Sequence, residues 1–340
     1  MLNVLLTIFL APFLPIFFYG NFAHSDDILN KVPEKNVGMV MGENEVKEES
    51  FERQNAFPVE EKNMSALIPM RKEDVSDLKI WAGASVVIDV ESGTILHYDN
   101  GRKQTQVASL TKIMTAVLTM ERLNNLNEEV IITREGLILP GTVVGCPRSG
   151  YCLSNRMYVG EKVRAVDLLK AALMNSANDA ATMLGIHIAG TEERFVEMMN
   201  DKAKELGLRD THFCTPSGLE TDGKESECYS SAYDLARIAA YSLKYEKIWE
   251  IMRMPDDRFF STDGKYMHEL KSTTVSSLEG TPGCLGGKTG FTPLAGKSLM
   301  VGAKSPDGKN KIIVVILNDE TRWQDTKTLI NWAFNNYIWK

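Results

Sequence analysis

The apolar positions of this chain fall into an unbroken run, a long gap and then a series of periodic segments. Leu2 to Tyr19 is almost wholly apolar and uncharged, interrupted by Pro12 and Pro15, and is followed by the small residues Ala23-His24-Ser25 and then Asp26-Asp27. That order predicts an export signal over residues 1–25, cut after Ser25, although no Lys or Arg precedes the run. An uncleaved anchor is the competing reading, since about 20 apolar residues span a bilayer. Either way the rest of the chain is expected to be exported, to the periplasm or the cell-envelope face of the inner membrane, with membrane attachment, if any, through this segment. Residues 26–75 are rich in Glu, Lys, Asn and Asp, show no sustained period and hold only Phe51 and Phe57 as aromatics. They read as a flexible polar linker.

Periodic structure is expected from near Ile80, in a domain bounded at 76–340. Ala82 to Asp89, with Val86-Val87-Ile88, predicts a strand; Glu91-Ser92-Gly93 turns it, Thr94 to Tyr98 returns, and Asn100-Gly101 closes a β-hairpin. A helix is expected from Ser109 to about Leu123, and a short strand over Glu129 to Thr133. The middle reads as helices: Val166 to Met174, Asn178 to Ala189 stopped by Gly190, Thr191 to Leu206 stopped by Gly207, and Ser231 to Leu243 with Ser231 and Asp234 fitting a capping box. Strands return at Lys297 to Ala303 and Lys311 to Leu317 around the turn Pro306-Asp307-Gly308, and Asp325 to Tyr337 reads as an amphipathic closing helix. Strands from both chain ends and helices from the middle predict an α/β fold of the α+β kind. It would be one antiparallel sheet completed by both ends, flanked by helices, with an all-helical subdomain inserted.

Composition changes this picture little. The 340 residues are 44% hydrophobic and 24% charged, ordinary for a globular protein. The net charge of −7 and the lack of a basic block argue against nucleic acid as a partner. In an oxidising compartment Cys146 and Cys152, and Cys214 and Cys228, each flank a short turn-rich loop and suit local bridges, leaving Cys284 over; five free thiols are the equally open alternative. There is no C-x-x-C and no H-E-x-x-H, so neither a metal nor another cofactor is expected.

Three short motifs carry candidate chemistry. Ser109-Leu110-Thr111-Lys112 puts a serine and a lysine on one helix face. A lysine with a lowered pKa is a base able to take the serine's proton. Ser-x-x-Lys is expected about once by chance in a chain of this length, and Ser76-Asp77-Leu78-Lys79 is such a decoy. Ser176-Ala177-Asn178 lies where two middle helices meet; Ser176 suits a proton relay and Asn178 a substrate amide, while a helix N-cap is the structural alternative for Ser176. Lys288-Thr289-Gly290, inside Gly286 to Thr292, offers a cation, a hydroxyl and a glycine that lets a substrate backbone come close. It is not a phosphate loop, because Pro282 stands where the first glycine belongs. Ser-x-Asn and Lys-Thr-Gly each occur once, in this order after Ser109, which chance supplies far less readily than any one of them.

This ordered trio resembles that of the low-molecular-mass penicillin-binding proteins, the serine D-alanyl-D-alanine carboxypeptidases. The resemblance runs from about Ile80 to Tyr337 and includes Gly207-Leu208-Arg209-Asp210-Thr211-His212-Phe213 and Ser217-Gly218-Leu219. It implies the β-lactamase/transpeptidase-like fold, peptidoglycan stem peptides as substrate and β-lactams as covalent inhibitors. By the same resemblance Ser109 is the nucleophile, Lys112 its base, Ser176 the proton relay and Asn178 an orienting group. Lys288 supplies positive potential, Thr289 and Arg322 bind the terminal carboxylate, and the Ser109 and Phe291 N–H groups form the oxyanion hole. Many relatives have histidine where Phe291 stands, and the larger ones add a β-rich domain and an amphipathic helix that are not expected here. The rivals are a β-lactamase, disfavoured because Ala177 replaces an Asp and no Glu-x-x-Leu-Asn phrase follows Asn178, a D,D-endopeptidase of the same family, and a non-catalytic cell-wall binding module, which would need Ser109 or Lys112 to be lost. A Ser-His-Asp hydrolase fits worse, for want of a Gly-x-Ser-x-Gly elbow.

Overall fold

The computed structural model describes residues 67–147 and 151–340, so the export segment and the linker as far as residue 66 lie outside the described residues. The frame is a five-stranded antiparallel sheet in the order Ile95–Asp99, Ala84–Asp89, Lys311–Leu317, Gly296–Lys304, Cys284–Thr292. Its central strand reads Lys-Ile-Ile-Val-Val-Ile-Leu, a β-branched run with no polar face. Such a run needs apolar cover on both sides, and it has it. Ile312, Val314 and Ile316 pack with Leu329, Ile330 and Ala333 of the closing helix Arg322–Asn336. Ile313, Val315 and Leu317 join the larger core of the helical lobe.

That lobe contains Ala165–Met174, Asn178–Ala189, Glu192–Glu205 and Ala232–Ser242. The helix Lys112–Arg122 packs against all four, and its residues from Lys112 to Thr119 are buried. A charged residue at the head of a buried helix is costly unless its polar atoms are satisfied. The glycine-rich strand Cys284–Thr292 forms one edge of the sheet, beside the 3₁₀ turn Ala108–Thr111 that leads into this helix.

Several local expectations are corrected. Ordered chain reaches back beyond residues 76 and 80: Pro69–Arg71 pairs with Tyr337–Trp339 across almost the whole described chain. Lys72 Nζ adds a bond to Asn335 O, and Arg71 lies over the Trp332 ring. The last part of the expected linker is thus a strand, whose far-removed partner leaves no local pattern. Ser231 Oγ caps the Asp234 N–H, but the Asp234 carboxylate does not return the bond; it accepts instead from Asp210 N and Thr211 Oγ1. The strands Lys162–Arg164, Asp257–Phe260 and Met267–Leu270 were not expected, being only three or four residues long.

Both local disulfides are present, Cys146–Cys152 and Cys214–Cys228, and Cys284 is free. The second bridge closes a loop of sequence separation 14. Closing such a loop restricts the unfolded chain by about 3 kcal/mol. Replacing Cys214 and Cys228 together by Ser should therefore lower Tm by several degrees in a thermal melt, and an unchanged Tm would contradict this.

Candidate active site

Ser109 sits in the 3₁₀ turn, not in regular helix, and Ala108 before it has φ +49°. A non-glycine residue in the left-handed region costs about 1–3 kcal/mol and persists only where its surroundings impose it. The turn places the half-buried Ser109 Oγ 2.9 Å from Lys112 Nζ. Lys112 has no exposed surface. Its Nζ donates to Asn178 Oδ1 at 2.8 Å and to the Ser217 backbone oxygen at 2.6 Å. A neutral amine has two N–H groups and one lone pair. Two of its three neighbours accept only, so they take both N–H groups. The lone pair is left facing the one neighbour with a proton to give, the Ser109 hydroxyl.

Asn178 is held for this task. Its Nδ2 donates to Pro140 O at 2.9 Å and its N–H to Thr142 O at 2.8 Å, which leaves Oδ1 for the lysine. Ser176 is not the helix cap; Ala177 occupies that position with no side-chain cap bond. Ser176 instead has φ +59°, and its Oγ accepts from Lys288 Nζ at 2.8 Å. Lys288 is also fully buried and donates to Thr289 O at 3.0 Å. Ser109 and Lys112 are thereby linked through the segment 176–178 to Ser176 and Lys288.

Thr289 Oγ1 donates to Thr273 Oγ1 at 3.2 Å, and Arg322 Nη1 donates to Gly290 O at 3.2 Å. Phe291 is 39% exposed at the strand edge. Gly290 also serves the protein's own packing. A Cβ there would lie 2.9 Å from Val107 O and 3.3 Å from Leu110 Cγ, so the missing side chain lets the strand press on the serine turn. The decoy pair Ser76 and Lys79 lies exposed in irregular chain. Among the described residues, no group of three or more His, Cys, Asp or Glu is placed to hold a metal ion.

Burial dominates the electrostatics. The Lys112 amine is held well below the ordinary lysine range, first by desolvation and then by the neighbouring Lys288 charge, with Asp179 opposing. Lys288 is lowered to about 7 by burial and by Arg322. Burial raises Asp179 to about 6 against the N–H bonds from Val144 and Ala180. A lysine with a folded-state pKa below its unfolded value binds fewer protons when folded. Its penalty is complete below about pH 7 for Lys288 and fades as pH rises towards the unfolded value of about 10.4. Within that window stability rises by up to about 1.4 kcal/mol per pH unit per group. Urea unfolding at pH 7 and pH 9 should show the wild type gaining about 2 kcal/mol more than Lys288→Met; parallel pH dependences would contradict the assigned shift.

The Ser217 carbonyl and Thr273 have no counterpart among the sequence candidates. A backbone oxygen carries no side-chain signature; the nearest signal is Gly218 beside it, with φ +74° and a Cβ position only 2.0 Å from Ala108 O.

The sequence profile of the D-alanyl-D-alanine carboxypeptidase family, peptidase S11, matches residues 71–321. A D-alanyl-D-alanine carboxypeptidase of Bacillus subtilis (strain 168) is 32% identical over 280 residues, covering 80% of this chain and 67% of that protein. The chain spans 64% of the next two relatives, so about two thirds of the length of these proteins. A D-alanyl-D-alanine endopeptidase of Escherichia coli (strain K12) is 25% identical over 261 residues, covering 76% of this chain and 78% of that protein. Penicillin-binding protein D2 of Listeria monocytogenes, solved in its ampicillin-bound form, superposes with a TM-score of 0.63 at 30% identity, covering 76% of this chain and 100% of that one. With this agreement in sequence and fold, the chain belongs to the D-alanyl-D-alanine carboxypeptidase family of low-molecular-mass penicillin-binding proteins.

Proposed function

We propose that the chain is a serine D-alanyl-D-alanine carboxypeptidase that removes the terminal D-alanine from peptidoglycan stem peptides through an acyl-enzyme on Ser109. The observation that carries this reading is the Lys112 amine, buried and bonded so that its lone pair faces Ser109 Oγ. Lys112 takes the Ser109 proton as Oγ attacks the carbonyl carbon between the two D-alanines. Negative charge on the carbonyl oxygen is met by the N–H groups of Ser109 and Phe291, each such donor contributing about 3–4 kcal/mol in the transition state. The C–N bond breaks, and the leaving amine takes the proton that Lys112 accepted, passed on by Ser176, which Lys288 holds in place, so that Lys112 is neutral again. Water then attacks the ester, giving a proton to Lys112, and the ester bond breaks as Lys112 returns that proton to Ser109 Oγ.

The substrate's terminal carboxylate is assigned to Thr289 and Arg322 beside the Lys288 charge, and Asn178 orients the substrate amide. A bound carboxylate raises the lowered Lys288 pKa, so the complex holds that lysine protonated. A β-lactam offers a strained amide in place of the peptide bond and stays on Ser109 as a slow ester. Export of the chain, and any hold on the membrane through residues 1–25, belong to the same proposal; among the described residues no helix is long and apolar enough to cross a membrane.

The test is mass spectrometry of the products from a stem pentapeptide and from a cross-linked dimer. Loss of one terminal alanine from the pentapeptide is the expected result. Cleavage of the dimer alone would move the chain to the endopeptidases, and rapid repeated turnover of nitrocefin would move it to the β-lactamases.

A further inference from the structure

Ser217 offers Lys112 a backbone oxygen, and such an oxygen is only as fixed as the chain that carries it. The segment Thr215 to Leu219 is neither helix nor strand. Within it, Gly218 N donates to Thr215 Oγ1 at 2.9 Å and Leu219 N to Ser217 Oγ at 3.3 Å. The neighbouring carbonyl, Pro216 O, accepts from Thr115 Oγ1 at 2.6 Å in a buried bond. Thr115 is 1% exposed and stands three residues after Lys112, on the same face of the same helix. That helix therefore grips two successive carbonyls, Ser217 O through Lys112 and Pro216 O through Thr115. Gly218 presses on Ala108 O, so the segment is wedged between the helix and the serine turn.

Packing alone does not call for a hydroxyl at position 115. Valine has nearly the same shape and a similar helix propensity. The hydroxyl is used in one bond, to the carbonyl that immediately precedes in the chain the one facing the lysine amine.

We propose that Thr115 is a positioning residue for the base: by holding Pro216 O it fixes the Ser217 carbonyl that aims the Lys112 lone pair at Ser109. This rests on the roles given above to Ser109 and Lys112. It is the part a third group plays when it orients the base in a nucleophile–base pair, supplied here by a backbone carbonyl and the threonine that pins it.

The consequences have opposite signs in two readouts. The protonated amine has three N–H groups, accepted by Ser109 Oγ, Asn178 Oδ1 and Ser217 O. Loss of one carbonyl penalises the ammonium more than the amine, so Lys112 gives up its proton at lower pH. The amine also loses its aim, so the rate with neutral lysine falls. The charged groups facing Lys112 are Lys288 on the edge strand and Asp179 on the helix Asn178–Ala189, and changes at Thr115 leave both in place.

The experiment is the second-order rate constant for acylation of the full chain by a penicillin, measured from pH 5 to pH 10. For Thr115→Val the plateau is expected to fall about 5- to 20-fold, with the acid limb moved down by about half a pH unit. Thr115→Ser keeps the hydroxyl and should restore both. If the valine variant does not fold, Thr115→Ala removes the same hydroxyl with less bulk and must show the same two changes. A plateau within twofold of wild type, or a lowered plateau with an unmoved limb, overturns the proposal. Wild-type protein that forms no Ser109 adduct would instead overturn the functional reading on which it rests.

Discussion

Ser109→Ala is expected to abolish covalent labelling by a fluorescent penicillin and to lower D-alanine release by about 10⁴-fold or more. The substitution removes one oxygen from a half-buried turn and leaves the left-handed Ala108 and the Lys112 bonds to Asn178 and Ser217 in place. The variant should therefore fold and melt close to wild type while still binding substrate through the Lys288 strand. Ser176, the other serine of the linked cluster, has its Oγ bonded to Lys288 and not to the Lys112 amine. Retained labelling in this variant would contradict the assignment of the nucleophile.

Lys112→Met should lower the acylation rate about 10³-fold or more, the contribution of a positioned general base. Methionine is apolar, unbranched and close to lysine in length, so it fills the same buried channel. It strands two acceptors, Asn178 Oδ1 and Ser217 O, each costing about 1–3 kcal/mol when buried without a donor. It also removes an amine whose charged form burial opposes, so the net change in Tm should be small. The pH profile separates this variant from the wild type. With lysine present the rate rises as the amine loses its proton and then levels off, at a pH well below the ordinary lysine value. With methionine the residual acylation has no such plateau and climbs with hydroxide. A levelling profile in Lys112→Met would contradict its role as base.

Much of the frame was legible in the sequence because its signals are local. The run Lys311–Leu317 and the hairpin of Ala84–Asp89 with Ile95–Asp99 declare themselves by β-branched residues and turns. The helices of the middle are set off by glycines such as Gly190 and by caps at Thr191 and Ser231. Ser109, Lys112, Ser176, Asn178 and Lys288 were named from three short motifs, and the structure brings these side chains into one linked cluster. What stayed hidden depends on partners far away in the chain. The strand Pro69–Arg71 exists only through pairing with Tyr337–Trp339. The Ser217 carbonyl has no residue type to announce it, and its holder, Thr115, reads in the sequence as one more position of a buried helix. The cap alternative for Ser176 arises because cap preference is also local, whereas its actual bond reaches across to Lys288. At Gly290 the glycine admits a close approach that had no local signal, that of the protein's own Val107.

The central claim is that Ser109 carries the acyl group, and locating a penicilloyl adduct tests it most directly. The wild-type chain is incubated with ampicillin, digested with trypsin and sequenced by tandem mass spectrometry. The adduct is predicted on the peptide running from Gln104 to Lys112, with the added mass on Ser109 and on neither Thr105 nor Thr111. An adduct on Ser176, on any other residue, or on none would contradict the account.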